Sequence, residues 1–217
     1  MQVKYFGDIT DFYKYYFLKN IVGEYKLGIN WYLTADDESN DGEKKAKNKP
    51  LLEKIDKELF KILSEMDFKK FQSKYFNKDT KYYNGIYKDF HMEYFNETSA
   101  FNELKNQDII FFDPDNGIEM PSKKLSERNK YVPYRILTKY WNENKTLVIF
   151  QHKDRNIEAL NKKINNLVEC LKCKKDNILV VNSKKVFYIC VINKLHENIK
   201  NNIKVFCKNN VSEYNII

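Results

Sequence analysis

The feature that most limits how this chain can fold is a set of short apolar runs, each stopping abruptly at polar residues. Residues 108–119 read Asp-Ile-Ile-Phe-Phe-Asp-Pro-Asp-Asn-Gly-Ile-Glu, with four large apolar side chains running into three carboxylates within seven positions. Residues 29–33 run into Thr34-Ala35-Asp36-Asp37, and residues 146–150 into Gln151-His152-Lys153. Apolar runs of this length, bounded by turn formers, read as strands buried on both faces, as in a parallel sheet covered by helices. In open sheets of that kind the ligand crevice lies beyond the carboxyl ends of the strands. Three strands therefore deliver polar side chains to one edge if they run parallel.

Helical periodicity fills the spaces between them. Ile9, Phe12, Tyr13, Tyr16, Phe17 and Ile21 recur at helical spacing behind Asp8 or Thr10 as caps. Residues 40–50 are charged and form a surface loop; amphipathic helices follow over 51–66 and 67–77, so residues 40–80 form a helical insertion or lid within a single domain spanning 1–217. Residues 82–95, with aromatic and charged residues alternating, read as a strand. A helix over 133–142 opens with proline in its first turn, and another covers 156–172. Residues 177–181 and 185–192 are the last strands, joined by a hairpin turn at Asn182-Ser183-Lys184-Lys185.

Composition sets broad limits. The net charge of +8 is compatible with a polyanionic partner, RNA or DNA. Only Arg128, Arg135 and Arg155 could give bidentate recognition, so such contacts would rest on lysine point charges and aromatic rings. Cys170 and Cys173 make a CxxC, but no second pair or histidine at ligand spacing completes a zinc set, and the four cysteines read as reduced thiols. No apolar segment approaches the ~20 residues of a membrane span and none resembles a signal peptide, so a cytoplasmic protein without a membrane partner is expected.

The chemistry concentrates in Asp113-Pro114-Asp115-Asn116-Gly117. Proline fixes one torsion and restricts the residue before it, and Asn-Gly permits a left-handed turn. The result is a rigid loop that can hold the Asp113 carboxylate and nearby carbonyls toward a bound group. A turn alone would not need the acids.

This loop resembles motif IV, Asp-Pro-Pro-Tyr, of S-adenosylmethionine-dependent amino-methyltransferases, aligned as Asp113-Pro114-Asp115-Asn116. The opening Gly7-Asp8-Ile9-Thr10-Asp11-Phe12-Tyr13-Lys14-Tyr15 is similar to the Gly-Asn-x-x-Asp-x-x-Lys-His opening of the large-subunit rRNA adenine-N6 methyltransferase family. That family also carries a helical insertion after its first core strand and ends in a hairpin pair of strands. The resemblance implies a Rossmann-like α/β fold, mostly parallel, with a C-terminal antiparallel hairpin. It implies S-adenosylmethionine as cofactor and a nucleic-acid amino group as methyl acceptor. Asp113 would accept the target amino protons, with Pro114 shaping the carbonyl that shares that role. Lys14 and Tyr15 would line the cofactor pocket, with Asp36 or Asp37 at the methionine end. Two departures stand out: Asn116 replaces the aromatic that stacks on a flipped base, and no Gly-x-Gly follows the first strand.

The same acids admit other readings. Asp113, Asp115 and Glu119, with Asp36 or Asp37 opposite, are hard oxygen ligands of the kind Mg²⁺ takes, and Gln151 with Lys153 would then resemble the core of a metal-dependent nuclease. His152 is as well placed to face a ligand as to end a turn. A non-catalytic binding protein on a methyltransferase-like fold is the third reading.

Overall fold

The computed structural model describes residues 2–35, 45–65, 67–87, 90–120, 129–153, 157–183 and 186–217. Among these, seven strands form one sheet: β1 (Leu27–Asn30), β2 (Lys81–Tyr83), β3 (Ile109–Phe112), β4 (Thr146–His152), β5 (Ile178–Ser183), β6 (Val186–Val191) and β7 (Tyr214–Ile216), in the order β2-β1-β3-β4-β6-β5-β7. Strands β2, β1, β3 and β4 are mutually parallel, and β6 runs antiparallel between β4 and β5. This is a Rossmann-like, mostly parallel α/β sheet with a C-terminal antiparallel hairpin, as the apolar runs and the resemblance together lead one to expect. Lys184 and Lys185 of the hairpin turn lie outside the described residues.

Alternation along the strands assigns the two faces. Ile109 and Phe111 point, with Ile29, Val148 and Tyr188, into a cluster shared with α1 (Ile9–Val22), α2 (Lys57–Glu65), α3 (Phe68–Lys74) and α7 (Glu197–Asn209). Ile110 and Phe112 point the other way, with Leu147 and Ile149, toward α4 (Phe90–Leu104), α5 (Tyr134–Asn142) and α6 (Ile157–Leu171). Each of the four β3 side chains has no exposed surface. A strand buried on both faces cannot alternate polar and apolar, which is why its sequence is continuously apolar.

Three expectations need correction. Residues 82–95 are not one strand: β2 ends at Tyr83 and α4 begins at Phe90. The helix expected over 51–66 is broken into a 3-10 turn (Pro50–Lys54) and α2, with Asp56 accepting from Leu59 N–H at 2.9 Å to start the second piece. The chain also continues past β6 into α7 and an edge strand, β7, so the β5–β6 hairpin does not end the fold. The helical insertion between β1 and β2 is present as α2, α3 and two 3-10 turns.

From β1 the chain moves outward to β2, and from β3 it moves the other way to β4. The strand order therefore reverses between the neighbours β1 and β3, which is where an open α/β sheet leaves a crevice beyond its carboxyl ends. Among the described residues no helix is long and apolar enough to cross a membrane.

Candidate functional site at the switch point

The first contribution comes from the start of α1. Gly7 has φ +82°, and a Cβ there would stand 3.0 Å from the Leu63 carbonyl oxygen, so the turn into the helix favours glycine. Asp8 is the N-cap and accepts from Asp11 N–H at 2.7 Å; Asp11 reaches back to accept from Gly7 N–H at 2.9 Å. This reciprocal arrangement satisfies one donor the helix leaves open, Asp11 N–H, and the Gly7 N–H of the turn before it. Its by-product is two carboxylates on one side of the first turn, with Lys14 next along the same face.

Lys14 then joins α1 to the loop after β3. Its ammonium donates to Asp113 Oδ2 at 2.7 Å and lies 2.8 Å from Asp11 Oδ1. Lys14 and Asp113 are 3% and 2% exposed, which makes this a buried triad rather than a surface ion pair. The Lys14 ammonium also lies 5.2 Å from the centre of the Phe150 ring. Asp8, Asp11 and Asp113 stand close to Lys14, and burial together with like-charge repulsion shows in the protonation of Asp8 and Asp113. Burial, followed by the Asp11 charge, pushes Asp8 up to about 7, against hydrogen bonds and Lys14 that pull it down. Burial also raises Asp113, with Lys14 only partly opposing. Burial pulls Lys14 down, yet Asp11 and Asp113 more than offset it and hold the ammonium above its ordinary range. Lys14 is shared between two acids, so it gains from both while neither acid has it alone.

Tyr15 is fully buried, its ring 5.3 Å from the Lys14 ammonium on one side and packed into an aromatic cluster on the other, 4.4 Å from the Phe71 ring centre and edge-on to Trp31 at 5.8 Å. Burial and the neighbouring carboxylates raise its hydroxyl well above the ordinary value. It stays neutral.

The loop after β3 is pinned from several directions. Asp113 N–H donates to Asn30 O at 3.0 Å, extending the β1–β3 ladder by one residue. Pro114 is buried beside it. Asp115 Oδ2 accepts from the Thr34 hydroxyl at 2.7 Å, tying the ends of β3 and β1 together. Gly117 has φ +90°, and a Cβ there would lie 2.3 Å from Gln151 Oε1. Gln151 uses that closeness: Oε1 accepts from Ile118 N–H at 3.0 Å, while Nε2 donates to His152 O at 2.9 Å and to Asn116 O at 3.4 Å. At 1% exposed, Gln151 holds the loop's shape. Glu119 serves α5, its Oε1 accepting from Tyr134 N–H at 2.7 Å where the N-cap Pro133 has no side-chain acceptor.

His152 stands exposed at the rim with its ring edge-on to Phe150 at 5.1 Å. Partial burial lowers its pKa and Asp115 opposes, so the imidazole is neutral at pH 7. Lys153 lies farther out, its ammonium 5.5 Å from the Phe187 ring centre. Asp36 and Asp37 lie outside the described residues.

Where a Gly-rich loop would follow the first strand, the chain places Trp31 and Tyr32, both fully buried. Tyr32 takes the left-handed conformation glycine would have supplied, with φ 46°. A non-glycine residue there costs about 1–2 kcal/mol, offset by local contacts. The Tyr32 ring stacks on Tyr87 at 4.3 Å, its N–H donates to Asn30 Oδ1 at 3.2 Å, and Asn30 Nδ2 donates to the Tyr87 hydroxyl at 3.0 Å. Beyond the ends of β1 and β2 lies an open, mainly apolar groove of about 430 Å³, lined by Leu33, Phe68, Ile86 and Val3 with Gln72 and Asn84 at its edge.

The structure thus brings Lys14, Asp113, Asp115, Gln151 and His152 to one rim, keeps the buried Tyr15 ring beside Lys14, and turns Glu119 to capping. Asp8, Asp11 and Thr34 belong to the rim as well; the sequence puts Thr34 at a strand end and the two acids in the opening motif but gives none of them a role, which the spacing of Asp8, Asp11 and Lys14 on one helix face could have suggested. Among the described residues, no group of three or more His, Cys, Asp or Glu side chains is placed to hold a metal ion. Comparison with protein-family models, curated proteins and solved structures finds no match to this chain.

Proposed function

We propose that the rim between β1 and β3 binds S-adenosylmethionine and that the protein is a methyltransferase-like enzyme of the cytoplasm acting on an amino group of a nucleic acid. One observation carries the reading. The two segments that resemble the rRNA adenine-N6 methyltransferases are joined by the 2.7 Å contact of Lys14 with Asp113, across 99 residues of sequence, at the switch point of the sheet. The likeness of fold is an analogy and would not suffice alone.

The donor set suits the cofactor in charge and shape. Negative charge from Asp8, Asp11 and Asp113 suits a ligand whose sulfonium and ammonium outweigh its one carboxylate, and the groove of Leu33, Phe68 and Ile86 suits the flat, largely apolar face of a nucleobase. When bound, the cofactor supplies an electrophilic methyl group. Asp113 and the carbonyl shaped by Pro114 accept the hydrogens of the target amino group, and Lys14 fixes the orientation of the Asp113 carboxylate. Gln151 and Gly117 hold the loop that carries them. Asn116 cannot stack as an aromatic would, which makes the grip on the target base weaker on this reading.

The test is transfer of a labelled methyl group from S-adenosylmethionine to unmodified RNA. Asp113→Asn is expected to lower the rate at least about 100-fold, the scale of losing one preorganised polar group at a reacting centre. A folded Asp113→Asn protein that transfers methyl groups as fast as the parent would refute the assignment.

A further inference from the structure

At the opposite edge of the sheet, three connections enclose a second hollow of about 520 Å³: residues 142–145 between α5 and β4, residues 172–177 between α6 and β5, and residues 193–194 after β6. Strand β4 spans the sheet from this edge to the Asp113 rim, and its seven residues separate the two by roughly 20 Å. Lys172, Lys174 and Lys194 line the hollow, and none of them has a carboxylate partner at ion-pair distance among the described residues. The side chains of Asn142 and Asn144 stand on its wall, and the half-buried indole of Trp141 forms part of it.

Two helices, α5 and α6, end here, and each brings about half a negative charge at its carboxyl end. Lysines near helix ends often do no more than balance that charge. The three connections carry Lys145, Lys172, Lys174, Lys175 and Lys194 against Glu143 and Asp176, a net of three positive charges where about one would suffice, so a surplus of roughly two remains around a concave, amide-lined site beside an aromatic face. Phosphodiesters are bound by such lysine point charges, and bases stack on such rings without regard to sequence.

We infer that this hollow, formed by Trp141, Lys172, Lys174 and Lys194, binds a nucleotide unit of single-stranded nucleic acid, with the base against the indole and the backbone phosphates on the lysines. The site is separate from the Asp113 rim and does not depend on what that rim does.

The protein carries its own probe. Of its two tryptophans, Trp31 is fully buried against Tyr82 and Phe68, so a ligand reaching the hollow changes the emission of Trp141. Titration of the full chain with oligouridylate at low salt is expected to quench that emission, and Trp141→Phe should remove the signal. Lys172→Glu, Lys174→Glu and Lys194→Glu together should weaken binding at least about tenfold and flatten its dependence on log salt by about 1.4, since each of about two single-strand phosphates no longer neutralised lowers the slope by about 0.7. Oligodeoxythymidylate run in parallel tells RNA from DNA, and either supports the assignment. Unchanged Trp141 emission with both strands, or equally tight binding of base-free polyphosphate or polyglutamate, would overturn it. S-adenosylmethionine affinity should be unaltered in these variants, which separates failure here from failure at the other edge.

Discussion

Lys14→Met is expected to destabilise the protein by about 3–5 kcal/mol, the usual cost of leaving buried charge without its partner. Methionine fills a similar volume, so the loss reports charge more than packing. Removing the ammonium leaves the Asp11 and Asp113 carboxylates facing each other where only a few per cent of their surface is exposed. Both can escape only by taking up protons. Adding Asp113→Asn to Lys14→Met should therefore restore part of the loss, since a neutral amide no longer repels Asp11. Urea unfolding of the parent, the single variants and the double variant measures this directly. A Lys14→Met protein within about 1 kcal/mol of the parent would mean that the triad carries no charge worth compensating.

The second large effect concerns Asp8. Its folded pKa of about 7 lies above the ordinary 3.8, so between those values the folded chain holds a proton that the unfolded chain releases. Stability then falls as pH rises through this window, and above pH 7 the folded state carries the full cost of an ionised Asp8. Asp8→Asn removes that cost while keeping a good N-cap, since asparagine accepts from Asp11 N–H as aspartate does. The variant is expected to match the parent near pH 4 and to exceed it by about 2–4 kcal/mol at pH 8, after allowance for the partly exposed position of Asp8 and its coupling to Asp11. Identical stability–pH profiles would contradict this. A carboxylate that weakens the fold where asparagine would serve as cap is the pattern expected of a group kept for binding.

Much of this arrangement is written in local sequence, and the rest depends on partners far along the chain. The runs at 109–112 and 146–150 are legible because burial on both faces leaves no polar positions, and their polar ends mark the rim without knowledge of the fold. Helix α4 is hidden because aromatic and polar residues do not segregate along Phe90–Leu104, so alternation near Tyr82 and Tyr83 dominates the reading. Helix α7 does carry a helical rhythm in Ile199, Ile203, Phe206 and Cys207, obscured by four asparagines of low helix propensity. At the site, Asp113 announces itself through the turn chemistry around it. The roles of Glu119 and Gln151 do not, because what their side chains meet, Tyr134 N–H and Ile118 N–H, lies 15 and 33 residues away and depends on how loops fold over strand ends. Lys14 is singled out by the resemblance alone, because the partner that gives it a role, Asp113, lies 99 residues away.

If the rim holds surplus negative charge, it binds a cationic ligand in preference to its uncharged counterpart. Calorimetric titration with S-adenosylmethionine and with its uncharged-sulfur product, S-adenosylhomocysteine, tests it most directly. The sulfonium compound is expected to bind at least about tenfold tighter, a difference of about 1.4 kcal/mol, with the margin widening from pH 6 to pH 8 as Asp8 ionises. Equal affinities at every pH, or no binding of either compound, would contradict it.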